Sequence, residues 1–233
     1  MYIYGKNVAK EKINSNEEIT KIYLSDKFKD NDIFDLIKKR KVKYSIVPNK
    51  FLDNKVNGLH QGIIVECPEV QTYDFNYINS INKERSVIVM LDHLEDPHNF
   101  GAIIRTCEAL GVTAIIIPKD RSVNVNSTVV KTSAGAIYNI PIIVVSNLLD
   151  SVNKLKKMGY WIVGTDMNGE DYTLINYNMP ICLIIGNEGK GMSKVIKENV
   201  DFMAMIPMVG KINSLNASVS CGIVLSRIVS YKE

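Results

Sequence analysis

The sequence predicts an α/β protein whose larger part is a parallel sheet covered by helices on both faces. Six nearly continuous apolar runs indicate the strands, and helix-like segments separate most of them. The runs are SVIVMLD (86–92), AIIIPK (114–119), IPIIVVS (140–146), YWIVGTD (160–166), CLIIG (182–186) and FMAMIP (202–207). A strand buried on both faces is apolar throughout, which is typical of parallel sheets. Ligands of such sheets bind beyond the carboxyl ends of the strands, so the residues after each run form the candidate site.

The first third of the chain predicts a second, smaller α/β unit at residues 1–70. Its strand-like pieces are KIYLSD (21–26), KYSIVP (43–48) and GIIVEC (62–67), and helices are expected at 31–40 and 50–56. The first of these helices has an acidic start and a basic end, as helix termini favour. The tract 68–85 is polar without a sustained period. We interpret residues 71–85 as a linker to the larger domain, 86–233.

Composition excludes several classes of protein. The 233 residues are 46% hydrophobic and 23% charged, with no apolar run long enough to cross a membrane and no signal-peptide pattern at the start. The four cysteines form no CxxC pair and the three histidines are scattered, so no metal site is predicted. Isolated cysteines in apolar surroundings indicate buried free thiols, and hence a cytoplasmic protein.

The formal net charge of +3 lies entirely in residues 1–72. Its densest run is KKRKVK, whose basic residues are Lys38, Lys39, Arg40, Lys41 and Lys43. One interpretation is a basic helix end that faces solvent and complements the helix dipole. The other is contact with a polyanion such as nucleic acid. The charge alone leaves both open.

Two polar residues stand out in the segment DHLEDPHNFGAIIRTCEALG (92–111), which follows the first apolar run. No GxGxxG is present, so a dinucleotide-binding turn is excluded. Asn99 lies where a helix N-cap is expected after Pro97, and a simple cap is one interpretation. Arg105 lies mid-helix among apolar residues. Because six residues turn a helix by roughly 240°, the two side chains can converge only if Asn99 lies outside the regular turns.

The segment GNEGKGMS, residues 186–193, has the outline of a phosphate-binding loop. A P-loop places four residues between its first glycine and the Gly-Lys pair, whereas only Asn187 and Glu188 follow Gly186 here. Glu188 would also repel phosphates. The phosphate interpretation therefore fails, and the glycines indicate a tight turn or a close approach to the backbone.

The last run leads through SLNAS into a C-terminal helix that opens with small residues. Ser214 suits an N-cap, whereas Asn216 has less structural reason to be polar. No Ser-His-Asp arrangement, metal cluster or cysteine nucleophile accompanies these residues, so they do not by themselves name a reaction.

The segments NFGAIIRT (99–106), LIIGNEGKGM (183–192) and IPMVGKINSLNASVS (206–220) resemble, in order and spacing, the three motifs of the SpoU-type, TrmH-like RNA 2′-O-ribose methyltransferases of the SPOUT superfamily. KTSAGA (131–136) and VGTDMNG (163–169) resemble further family segments. Residues 1–70 resemble the L30e-like RNA-binding domain of the branch that methylates a guanosine of bacterial 23S rRNA.

The resemblance implies a SPOUT domain with a C-terminal trefoil knot, S-adenosylmethionine as the methyl donor, no metal, and a homodimer joined through the knot helices. The donor is expected to contact Gly186, Ile206 and Leu215, with Met208 and Ala217 nearby. Arg105 is expected to bind the adjacent phosphate and stabilise the developing alkoxide, because guanidinium stays protonated. Asn99, Glu188 and Asn216 would orient Arg105 and the ribose, and Ser214 would support the turn.

The implied RNA substrate favours the polyanion interpretation of Lys38–Lys43. Three alternative functions stay open: a tRNA 2′-O-methyltransferase of the same superfamily, a non-catalytic RNA-binding protein on this scaffold, and a methyltransferase that confers antibiotic resistance by modifying rRNA.

Overall fold

The computed structural model describes residues 1–15, 18–211 and 214–232, and the chain divides into two compact units, Met1–Val70 and Gln71–Glu233. All four cysteines are buried and are not linked by disulfides, as predicted. Within the described ranges, every helix is too short or too polar to cross a bilayer.

Over residues 1–15 and 18–70, the first unit is a four-stranded mixed sheet with three helices. Its strands are β1 (Tyr2–Tyr4), β2 (Lys21–Ser25), β3 (Tyr44–Val47) and β4 (Ile63–Glu66), in the spatial order β1-β4-β2-β3. Its helices are α1 (Lys6–Asn14), α2 (Asn31–Arg40) and α3 (Asn49–Lys55). Strands β2 and β3 run parallel, and β4 runs antiparallel to both β1 and β2. The sequence predicted β2 to β4, α2 and α3 to within two residues, whereas β1 and α1 were not predicted.

In the described part of the second unit the sheet has seven strands and is wholly parallel, which confirms the parallel sheet predicted from the apolar runs. The strands are β5 (Thr72–Tyr73), β6 (Val87–Asp92), β7 (Ala114–Pro118), β8 (Ile142–Val145), β9 (Trp161–Asp171), β10 (Ile181–Gly186) and β11 (Phe202–Met205). Their spatial order is β11-β9-β10-β6-β7-β8-β5. Strands β6 and β7 are buried along their whole length, which explains their continuous apolar sequences.

Five helices of the described residues accompany this sheet, and side-chain caps fix the starts of four of them, the cap of the last being described with the candidate site. They are α4 (Pro97–Ala109), α5 (Ser127–Thr132), α6 (Leu148–Lys157), α7 (Lys194–Lys197) and α8 (Ala217–Lys232). The side chains of Asp96, Asn126 and Asn147 accept a backbone N–H at the starts of α4, α5 and α6 respectively. Helix α8 packs against α4 beside the sheet.

The linker predicted at 71–85 is wrong for its first half. Strand β5 pairs with β8, and a 3₁₀ helix, Phe75–Ser80, follows it. Ile78 is fully buried in the core of the second unit, and the ring centroids of Tyr73 and Tyr77 lie 4.2 Å apart with the rings tilted by 39°. The segment is too short for its apolar residues to show a period, so the sequence reads as polar. The trefoil knot stays a prediction.

Candidate active site

The loops after β6 and β10 leave the sheet side by side. Asp92 at the end of β6 is the register partner of Gly186 at the end of β10. Because the strands are parallel, both carboxyl ends lie at the same edge, where the fold class predicts a ligand site.

A chain of side-chain hydrogen bonds joins three of the predicted catalytic residues. The Asn216 Nδ2 donates to Asn99 Oδ1 at 2.9 Å, and the Asn99 Nδ2 donates to Glu188 Oε1 at 2.8 Å. These residues are 117 and 89 positions apart in sequence, so the fold itself assembles them. The chain ends on a carboxylate, whose hydrogen bonds are stronger than those between neutral groups.

Asn216 caps helix α8, which corrects the assignment of that role to Ser214. The Asn216 Oδ1 accepts the backbone N–H of Ser218 at 2.9 Å and the Ser218 hydroxyl at 2.6 Å. Ser214 is exposed two residues before the cap. A capping amide still has its NH₂ group to donate, and Asn216 uses it on Asn99. One residue therefore both starts the helix and orients the next amide.

Asn99 is not the N-cap of α4. Asp96 is the cap, since its side chain accepts the His98 N–H at 2.9 Å, and Pro97 occupies the first helical position. Asn99 lies within the first turn and is 8% exposed. Because the helix does not need it as a cap, its buried amide is available for Glu188 and Asn216.

Arg105 lies away from this hydrogen-bond chain. Its side chain is exposed, and no hydrogen bond or ion pair joins it to another residue of the described ranges. Both Asn99 and Arg105 are inside α4, so the roughly 240° between them directs the two side chains apart. Within one chain, the fold brings together Asn99, Glu188 and Asn216 but not Arg105.

The glycine-rich loop closes on itself. The backbones of Asn187 and Gly191 exchange hydrogen bonds of 3.0 and 2.9 Å, and the Asn187 Oδ1 accepts the Gly189 N–H at 3.0 Å. A Cβ on Gly186 would clash with the backbone of Gly191 and Met192. Gly186 is therefore required by the loop's own closure, a different reason from the ligand approach that the sequence suggested.

Asp92 and His93 hold this loop in place, and the sequence motifs did not single them out. Asp92 is 1% exposed, and its Oδ2 accepts the Ser193 N–H at 2.6 Å. Its Oδ1 lies 2.6 Å from His93 Nδ1, and the His93 carbonyl accepts the Asn187 Nδ2 at 2.9 Å. His93 adopts a positive φ of 58°, which is uncommon for a non-glycine residue. A buried aspartate at the end of an apolar strand was the available signal.

A cavity of about 470 Å³ lies beside Glu188. The five predicted donor-binding residues all line it, together with Ser214: Gly186, Ile206, Met208, Leu215 and Ala217. Asp166, on β9, also lines it, and the hydrogen bond from Lys197 lowers the pKa of that carboxyl. Apolar walls suit a purine ring, and the carboxylates of Asp166 and Glu188 suit cationic groups. These residues fit S-adenosylmethionine, which has an adenine, a sulfonium and an ammonium group.

The basic run Lys38–Lys43 lies in the first unit. Lys38, Lys39, Lys41 and Lys43 are exposed at the end of α2 and the start of β3. Arg40 differs, because its Nη1 donates to the carbonyls of Lys12 and Ile13 at 2.8 and 3.0 Å. Arg40 thus satisfies the last carbonyls of α1, a structural role that the sequence run did not reveal.

Two family models match the chain. Residues 86–226 match the SpoU rRNA Methylase family, and residues 2–73 match the RNA 2′-O ribose methyltransferase substrate binding domain. The chain therefore belongs to the SpoU methylase family, and by that membership it is an S-adenosylmethionine-dependent RNA methyltransferase. The resemblance seen in the motifs is confirmed.

Relatives match along almost the whole chain. YacO of Bacillus subtilis (strain 168), named as a candidate TrmH family tRNA/rRNA methyltransferase, is 39% identical over 237 residues, which cover 97% of this chain and 94% of YacO. A relative with the same family name from Staphylococcus haemolyticus is 41% identical over 233 residues, with the same coverage of both chains. Among solved structures, the SpoU methyltransferase AviRb of Streptomyces viridochromogenes in complex with AdoMet has a TM-score of 0.69 at 22% identity, covering 99% of this chain and 89% of AviRb. At that identity AviRb shows the fold alone.

Proposed function

We propose that this chain transfers a methyl group from S-adenosylmethionine to a ribose 2′-hydroxyl of RNA, with a guanosine of 23S rRNA as the target. The observation that carries the proposal is the hydrogen-bond chain Asn216–Asn99–Glu188, which ends beside the cavity that suits the methyl donor. Both family models describe RNA methyltransferases, and the second names 2′-O ribose chemistry.

The chain's own residues supply orientation and charge in this reaction. When bound, S-adenosylmethionine supplies an electrophilic methyl group. One oxygen of the Glu188 carboxylate accepts a hydrogen bond from the Asn99 side chain. The other oxygen can accept a hydrogen bond from the ribose 2′-hydroxyl. Asn216 and Asn99 hold that carboxylate in place, so the hydroxyl is positioned before the reaction begins.

Arg105 binds the phosphate next to the target ribose and stabilises the developing alkoxide in this proposal. Its guanidinium is exposed and has no partner in the described part of its own chain, so it is available for an anion. Because α4 directs it away from Asn99, we propose that the active site is completed in a homodimer, in which Arg105 of one protomer serves the Glu188 side of its partner.

Exposed apolar side chains in α8 and in the segment before it support the homodimer. Val209 and Val219 are exposed in the single chain, and so is Leu215, which also lines the cavity. The small residues at the start of α8 pack within the chain: Cys221 is fully buried, and a Cβ on Gly222 would lie 3.8 Å from the methyl group of Thr106 on α4. The interface is therefore proposed on the exposed side of α8. A cytoplasmic location is proposed from the RNA substrate and the free thiols.

A methyl-transfer assay tests the proposal. The full chain is incubated with labelled S-adenosylmethionine and either unmodified 23S rRNA or unmodified tRNA, and the modified nucleotide is mapped. We expect transfer to one guanosine ribose of 23S rRNA, and sedimentation equilibrium should give twice the 26.2 kDa chain mass. Transfer to tRNA alone would replace the substrate assignment. Binding without transfer to either RNA would support the non-catalytic alternative.

A further inference from the structure

A groove of about 560 Å³ on the first unit is not part of the methyl-transfer site. The residues that line it come from β2, from the end of α2, from the turn after α2 and from β3: Lys21, Ile37, Lys38, Lys41, Val42, Lys43, Tyr44 and Ser45. Half of these residues are lysines, and the fully buried Ile37 forms part of the floor.

The four lysines of the groove form no ion pair with any carboxylate in the described parts of the chain. The nearest acidic register partner is Glu66, opposite Lys21, and its two oxygens accept the hydroxyls of Tyr23 and Tyr2 at 2.8 and 3.5 Å. A basic helix end facing solvent accounts for Lys38 and Lys41. It does not account for Lys21, which starts β2, or for Lys43, which lies in the turn just before β3, although both line the same groove. Lysines gathered from β2, from α2 and from the turn after α2 are stabilised by a bound polyanion, and the Lys21 ammonium also lies 5.2 Å from the centroid of the Tyr23 ring.

The carbonyl end of α2 does not oppose an anion here. The Lys41 N–H bonds the carbonyl of Lys38 at 3.1 Å, and the Val42 N–H bonds the carbonyl of Ile37 at 3.2 Å. Lys41 adopts the left-handed conformation with φ of 57°, which turns the chain out of the helix. Its ammonium group therefore stands beside a capped helix end.

An aromatic ring completes the groove. Tyr44 is 42% exposed on the edge strand β3, and Phe34 supports it edge-on, with ring centroids 6.3 Å apart and an interplanar angle of 75°. Ile46, two residues along the same side of β3, is 60% exposed. Rigid support on one side and exposure on the other make Tyr44 a stacking platform.

We infer that this groove binds an unpaired nucleotide of the RNA substrate, with its base stacked on Tyr44 and the flanking phosphates bound by Lys21, Lys38, Lys41 and Lys43. The inference rests on the proposed function for its RNA ligand. A duplex stacks its bases on one another and offers no free face to Tyr44, and A-form helices are recognised mostly by shape and 2′-hydroxyls. A basic groove with an aromatic platform is the arrangement that binds single strands.

Fluorescence anisotropy of the full chain with a ten-nucleotide single-stranded RNA and with its duplex tests the inference. Stacking predicts that Tyr44→Ala weakens single-strand binding by about fivefold or more and leaves duplex binding unchanged. Tyr44→Phe keeps the ring and should bind within about twofold of the parent chain. The pair Lys41→Ala and Lys43→Ala should reduce the slope of log K against log salt by about 1.4, at roughly 0.7 per phosphate contact on a single strand. Lys50→Ala, an exposed lysine outside the groove, is the matched control and should change neither quantity.

Equal single-strand binding by the parent chain and Tyr44→Ala would overturn the inference, and so would a preference for the duplex. Should Tyr44→Ala lower the melting temperature, photocrosslinking of 4-thiouridine RNA to the parent chain decides. A crosslinked peptide containing Tyr44 supports the groove, and crosslinks confined to other peptides overturn it. If the parent chain methylates no RNA but its single-strand binding still depends on Tyr44, the proposed function is refuted and this inference stands. If the parent chain methylates RNA normally and Tyr44→Ala binds single strands as well as it does, only the inference is refuted.

Discussion

Asn99→Asp is the sharpest test of the hydrogen-bond chain, because it replaces one donor without changing the size of the side chain. The new carboxylate can still accept the Asn216 N–H, but it can no longer donate a hydrogen bond to Glu188. It also places a second negative charge next to the Glu188 carboxylate, because Asn99 Nδ2 now lies 2.8 Å from Glu188 Oε1. A hydrogen bond to a charged group contributes about 1.5–3 kcal/mol. At 1.36 kcal/mol per tenfold, kcat/KM for methyl transfer should fall roughly 10- to 150-fold at neutral pH.

Acid pH gives this variant a distinctive signature. Two adjacent carboxylates raise the pKa of one of them, so the pair shares a proton as the pH falls and the donor toward Glu188 is restored. Activity of Asn99→Asp, relative to the parent chain, should therefore recover as the pH is lowered. Asn126→Asp makes the same exchange at the N-cap of α5, where only an acceptor is needed, and should keep full activity. Activity of Asn99→Asp within threefold of the parent chain at neutral pH would refute the role of the hydrogen-bond chain.

Three further predictions follow from the geometry. Arg105→Lys should leave the melting temperature unchanged, since Arg105 has no partner in the described chain, but should lower kcat in the transfer assay; near-normal turnover would contradict its role at the phosphate. Gly186→Ala should weaken donor binding at least tenfold by calorimetry, whereas Gly189→Ala in the same loop has room for a Cβ and should bind normally; equal binding by both would show that the loop closes differently. Burial raises the pKa of Tyr177 to about 12, so its contribution to stability is complete below pH 10 and is lost as the pH rises toward 12. Thermal melts of Tyr177→Phe should show a shallower decline over that range than the parent chain, and parallel declines would exclude Tyr177 as a cause.

The strands were predictable because a strand that is buried on both faces has a continuous apolar sequence. Strands β6, β7 and β10 begin and end within one residue of their apolar runs. The segment 72–80 has no such sequence, since a two-residue strand and one 3₁₀ turn cannot display a period. Strand order was also beyond the sequence, because the pairing of β10 with β6 depends on residues about 90 positions apart.

The sequence identified which residues belong to the candidate site, but it did not identify the role of each residue. The motif resemblance supplied Asn99, Glu188 and Asn216, and the fold joins them. The assignment of caps failed because Asp96, Asn99, Ser214 and Asn216 are all good capping residues, and only the backbone start of each helix selects among them. Likewise a run of five cations gives no sign that Arg40 turns back to the carbonyls of α1.

Because Asn216 has two roles, the residue at which α8 begins affects catalysis. The side-chain oxygen of Asn216 caps the helix. Its side-chain nitrogen orients Asn99, which in turn orients the Glu188 carboxylate. Shifting the first turn of α8 by one residue would turn that amide by about 100° and release Glu188, although no residue of the site had changed. Insertions or deletions between β11 and α8 are therefore compatible with activity only when Asn216 stays at the N-cap and its side chain still points at Asn99.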